Sequence, residues 1–121
     1  MFDSNELVIT EGNSAIIDIT PLDEVTEEAI KLNEGDKVIF TIKTNLGKLL
    51  LQKVLTNEDY DSEQDESLNC VLTPEETLGW GGGTYFYDCL LLYADGTALT
   101  FISSTIHIEK AIGKYTDIGG E

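Results

Sequence analysis

Apolar and polar residues alternate along much of this chain with a period of two, the spacing of β-strands. Lys37 to Thr44 is the clearest case. Val38, Phe40 and Ile42 fall on one face, and Lys37, Ile39, Thr41 and Lys43 on the other. Asn45-Leu46-Gly47 reads as a compact hairpin turn, and Lys48 to Thr56 returns as the antiparallel neighbour. Thr84 to Ala94 is the longest run. It sets Tyr85, Tyr87, Cys89, Leu91 and Tyr93 against Phe86, Asp88, Leu90 and Leu92. Asp95-Gly96 turns the chain, Thr97 to Ser103 pairs back, and Ser104 to Lys110 continues as a last strand or a bent extension. Three shorter strands are predicted: Leu7 to Thr10, Ser14 to Thr20 ended by Pro21, and Ser67 to Thr73 with Leu68, Cys70 and Leu72 inward.

Helical signals are sparse. Thr73-Pro74-Glu75-Glu76 offers an N-cap threonine, a proline at the first helical position and acids behind it, which predicts one turn near 74–78. Leu22, Val25, Ala29 and Leu32 have helical spacing, but the segment is short and Val25-Thr26 is β-branched. Residues 22–33 therefore read as a loop with at most one helical turn. Seven or eight short strands with one helical turn predict an all-β, antiparallel sandwich or small barrel. Tyr87 stands two residues before Cys89, an arrangement similar to the tyrosine corner of immunoglobulin-type domains. Tyr87, Cys89, Phe40 and Leu72 are expected in the core. One domain over residues 1–115 is expected, with 116–121 as a frayed tail.

Charge narrows the function. The 121 residues hold 23 acids against seven lysines and no arginine, giving a formal charge of −16. Phosphate contacts need cations, so neither nucleic acid nor an anionic membrane is an expected partner. Hydrophobic content of 41% is too high for a disordered chain. No apolar run approaches the ~20 residues of a membrane span, and the start, Met1 to Glu6, lacks the basic opening of a signal peptide. No lysine lies between Lys53 and Lys110, a stretch with 11 acids. That face reads as solubilising, or as a surface made to meet a basic partner.

Reactive groups are few. His107 sits in the alternation Ile106-His107-Ile108 and should face outward. Cys70 and Cys89 lie inside apolar strand patterns and should behave as small hydrophobes, with a disulfide or a Cys–His pair as the sharper alternatives. Gly79-Trp80-Gly81-Gly82-Gly83 matches neither a P-loop nor G-x-G-x-x-G and reads as a flexible loop that exposes Trp80. Carboxylates at Asp59, Asp61, Glu63 and Asp65 mimic the start of a calcium loop. Gln64 replaces its turn glycine and Cys70 its chelating glutamate, so a solvated acidic loop is expected. No catalytic residue, metal or cofactor is expected. The candidate contact surface is Trp80, Gly81, Asp59, Asp61, Glu63 and Asp65.

Several pieces occur in a suggestive order: Ile9-Thr10-Glu11-Gly12-Asn13-Ser14-Ala15, then Glu34 to Lys43, Leu72-Thr73-Pro74-Glu75-Glu76-Thr77, Gly83-Thr84-Tyr85-Phe86-Tyr87-Asp88 and Asp95-Gly96. This order resembles that of small β-rich proteins from structural gene modules of phages and prophages of Gram-positive gut bacteria. The chain departs from them at Glu11-Gly12 and in its acidic segment 22–33. The resemblance implies an immunoglobulin-like sandwich in a tail or baseplate module, present in the host cytoplasm during assembly and then in the virion. It implies a non-catalytic structural or adaptor role, with other virion subunits or further copies of the chain as partners. Two alternatives compete. One is a carbohydrate or host-surface binding module using Trp80, Tyr85, Tyr87 and Tyr93 as stacking faces. The other is an acidic decoy that mimics DNA.

Overall fold

The computed structural model describes residues 6–23, 25–60 and 66–110. Within them the strands are β1 (Leu7–Thr10), β2 (Ala15–Ile19), β3 (Lys37–Lys43), β4 (Leu49–Leu55), β5 (Leu68–Leu72), β6 (Gly83–Leu92) and β7 (Ala98–Glu109). A single helical turn, α1 (Pro74–Thr77), precedes β6. The predicted tail 116–121 lies outside the described residues.

The strands form two layers of a β-sandwich. Five pair in the order β1-β7-β6-β3-β4, and two form a second sheet, β2-β5. The order β7-β6-β3-β4 against β2-β5 is the arrangement of strands G, F, C and C′ against B and E in immunoglobulin-type domains. Pairing is antiparallel except for β1, which runs parallel to β7 with Leu7 opposite Ile106 and Thr10 opposite Glu109. The reason is local. The turn after Thr10 passes β2 to the other sheet, so β1 and β2 make no hairpin, and β1 takes the free edge of β7.

The alternation read from the sequence sets the inner faces. Val38, Phe40 and Ile42 of β3 are fully buried, as are Leu68, Cys70 and Leu72 of β5 and Cys89 and Leu91 of β6. Tyr87 is buried with its ring 5.5 Å from that of Phe40. Each such large apolar side chain contributes about 1.5–3 kcal/mol through burial. Thr73 caps α1 as expected: its hydroxyl accepts from the Glu76 amide, and the Glu76 carboxylate accepts from the Thr73 amide.

Two regions differ in detail from the sequence reading. Ala98 to Glu109 is one strand rather than two segments, because a bulge absorbs the break. Cys89 pairs with Ile102 and Leu90 with Thr100, which leaves Phe101 as the extra residue. The bulge changes the inward parity from odd to even, so that Leu99 and then Ile106 and Ile108 all face the core side. Residues 22–33 form no helical turn among the described residues. The Asp23 carboxylate accepts from the amides of Val25 and Thr26, and Leu22 bridges to Ala29. An aspartate that takes these amides for itself competes with a helix.

Phe40→Ala should lower the unfolding free energy by about 3–5 kcal/mol. Leu46→Ala, at a hairpin tip that is 91% exposed, should change it by less than about 0.5 kcal/mol. Urea unfolding followed by circular dichroism measures both.

Candidate functional site

The glycine loop is clamped. Glu11, at the turn between β1 and β2, is only 3% exposed. Its carboxylate oxygen Oε2 accepts from the amides of both Gly79 and Gly81 at 3.0 Å. Positive φ values at Gly79 and Gly81, +89° and +85°, turn both amides toward that one oxygen. The next residue repeats the tie, since the Gly12 amide donates to Thr77 Oγ1 at 2.8 Å. Trp80 is half-buried, packs against the core and leans on the Tyr85 ring at a centroid distance of 6.4 Å. The Tyr85 hydroxyl donates to the Trp80 carbonyl, with the Gly81 carbonyl 3.1 Å away. This corrects two expectations: the loop is pinned, and Trp80 is no exposed stacking platform. Tyr87 is buried, which removes a second stacking face.

Only one of the four candidate acids in the 59–65 loop can be placed. The Asp59 carboxylate accepts from the Thr56 amide at 2.7 Å and so closes its own turn. Asp61, Glu63 and Asp65 lie outside the described residues. The loop is fixed at its base, where Tyr60 bridges to Leu68 and the Asn69 amide donates to the Asp59 carbonyl. The Tyr60 hydroxyl accepts from the Leu32 amide, and Lys31 Nζ stands 4.3 Å over the Tyr60 ring. Trp80 and Gly81 thus belong to the β1–β2 turn region, whereas Asp59 belongs to the β4–β5 connection.

The nucleophile alternative fails on geometry. Cys70 and Cys89 are unbonded and fully buried. Burial pushes their thiols from 9.0 up to about 11 and about 12, so neither is a thiolate at neutral pH. His107 is exposed on the outer face, with Nδ1 3.4 Å from Thr84 Oγ1, while Cys89 faces inward through the same sheet. Lys53, on the inward side of edge strand β4, pairs with Glu76 of α1. The lysine ammonium and the Thr73 amide hold the Glu76 carboxyl below its ordinary value of 4.5. The stabilisation this pair supplies is present above that value and fades as the pH falls through the lowered one. An inward lysine on an edge strand also discourages edge-to-edge pairing.

The outer face of the five-stranded sheet carries more than the sequence reading assigned to it. Val54, Ile39 and Leu90 stand side by side on β4, β3 and β6, forming an apolar row across three strands. Val54 is 53% exposed, and Ile39 and Leu90 are half-buried. Leu92 flanks the row, and Phe86, 47% exposed, lies further along β6. No other layer covers this face among the described residues. Its signal was present in the sequence, as apolar residues on the non-core side of each alternation. Glu11 had no such signal, because nothing local marks a turn acid as buried.

No protein-family model matches the chain, and no curated protein matches it. Among the described residues no helix is long and apolar enough to cross a membrane.

Glu11→Ala should cost about 1–3 kcal/mol, because it takes a charged acceptor from two part-buried amides. Urea unfolding measures the loss, and amide exchange at Gly79 and Gly81 should accelerate. A thiol reagent should leave Cys70 and Cys89 unmodified in the folded protein and titrate both in denaturant. Both thiols are raised in the fold, so they favour folding below the ordinary 9.0 and lose that contribution as the pH climbs through about 11 and about 12. A fall in melting temperature above about pH 9 is the expected readout.

Proposed function

We propose that this protein is a non-catalytic structural or adaptor module that works by protein–protein contact, with the outer face of the five-stranded sheet as its contact surface. The observation that carries the proposal is the row Val54–Ile39–Leu90, in register on a regular sheet with Val54 exposed and Ile39 and Leu90 half-buried, set among polar side chains such as Gln52, Thr41 and Thr100. An apolar centre with a polar margin is the anatomy of a contact surface. Charge supports the same face. Residues 37–56 hold no acid in a chain of −16, and two of their lysines, Lys37 and Lys43, stand on this face. A protein partner can approach there without meeting the acidic remainder. A subunit or connector of a larger particle, such as a phage tail or baseplate, is the role this reading fits.

Affinity capture from the cells that encode the chain tests the proposal, with wild type beside Leu90→Glu. Wild type should retain a protein in stoichiometric amount, and Leu90→Glu should lose it while melting within a few degrees of wild type. Retention of the same protein by both would place the contact elsewhere and refute the assignment of the face.

A further inference from the structure

We infer that the occupant of this face is a second copy of the same chain, docked about a twofold axis that runs along the row Val54–Ile39–Leu90. The inference rests on the contact-face reading above and adds the partner. Two observations carry it.

The first is where two such chains can meet. A chain of −16 repels its own copies over most of its surface. The outward positions of β4, β3 and β6 carry two lysines, Lys37 and Lys43, and one acid, Asp88. The adjoining part of β7, Ala98 to Thr105, has no charged residue of its own, but its Thr105 hydroxyl donates to the Glu6 carboxylate at 3.1 Å. With the Glu6 carboxylate counted, two lysines meet two acids, so this is a nearly neutral face on a strongly anionic molecule, and it is where self-contact meets least repulsion.

The second is complementarity under the twofold axis. The apolar row is flanked on one side by Lys37, Leu92 and Ala98, and on the other by Gln52, Thr41, Asp88 and Ser103. Rotation about the row lays the first flank of one copy over the second flank of the other. Lys37 then faces Thr41 of the second copy, with Asp88 of that copy one strand away, roughly 4.8 Å to the side and within a lysine's reach. Symmetry makes the ion pair twice. Val54, Ile39 and Leu90 meet their own counterparts, as an isologous interface requires. The pairs fix orientation more than they add affinity. Four strands by four outward rows give a footprint of roughly 400 Å² per copy, about half that of a standard interface and in the class of weak, transient contacts, so dissociation at tens to hundreds of micromolar is expected.

Sedimentation equilibrium of the full chain at about 0.15 M salt, where the screening length is about 8 Å, tests the inference from micromolar to submillimolar concentration. The expected result is a monomer–dimer equilibrium that Leu90→Glu shifts to monomer. Lys37→Glu should weaken it at least several-fold, and Lys37→Glu combined with Asp88→Lys should recover most of the loss. Recovery by the charge swap cannot arise from misfolding of one variant. A monomer throughout, an assembly that grows beyond the dimer, a dimer indifferent to Leu90→Glu, or no recovery by the swap would each overturn the inference. If wild type is a monomer and capture still yields a different protein that Leu90→Glu loses, the dimer fails and the contact face stands. If capture also yields nothing dependent on Leu90, both fail.

Discussion

A buried carboxylate at Glu11 holds one end of this sandwich together. Its oxygen gathers the amides of Gly79 and Gly81, and its own amide donates to the carbonyl of Glu109. Three stretches far apart in the chain thereby meet: the turn between the sheets, the entry to β6 and the end of β7. Asp36 does the matching work at the other end of β6, where its two oxygens accept from the amides of Asn33 and Ala94. The device suits the composition. With 23 acids and seven lysines, most carboxylates here have no cation to pair with. Backbone amides serve instead, at Asp23, Asp59 and Asp95 as well as at the two buried positions. Hydrogen bonds to a charged acceptor are stronger than neutral ones, so an excess of acid becomes a means of fixing loops.

The larger sheet has two different faces. Its inner face is closed by the two-stranded sheet and by Lys53 with its Glu76 partner at the β4 edge. Its outer face keeps an apolar row that no second layer covers among the described residues. Apolar residues scattered singly over a surface require no explanation, but three in register across three strands form a surface with a direction. Lys37 and Lys43, outward on β3, keep that surface apart from the molecule's excess of acid.

Much of the fold was legible in the residues. The alternation in Lys37 to Thr44 and Thr84 to Ala94 gave the inner face correctly, and Thr73-Pro74 gave the helical turn, because these signals act over a few residues. What was not legible depends on residues distant in sequence. The parallel pairing of β1 follows from β2 leaving for the other sheet, and the bulge at Phe101 shows only against its partner Cys89. Trp80 looked exposed because glycines surround it, whereas Glu11 and Tyr85 fix its place from 69 positions before and five after. The tryptophan and the acids are the conspicuous residues of the sequence, whereas the proposed contact face lies on the quieter side of each strand pattern.

The parallel edge has a consequence for how the chain comes to be. Among the described residues β1 pairs with no strand but β7, and Glu11 binds Gly79, Gly81 and Glu109, all in the second half of the sequence. Contacts of such long range close slowly, since a large loop must be ordered before any of them forms. During synthesis β1 therefore leaves the ribosome well before the strand it pairs with, and it is fastened only after β7 has followed.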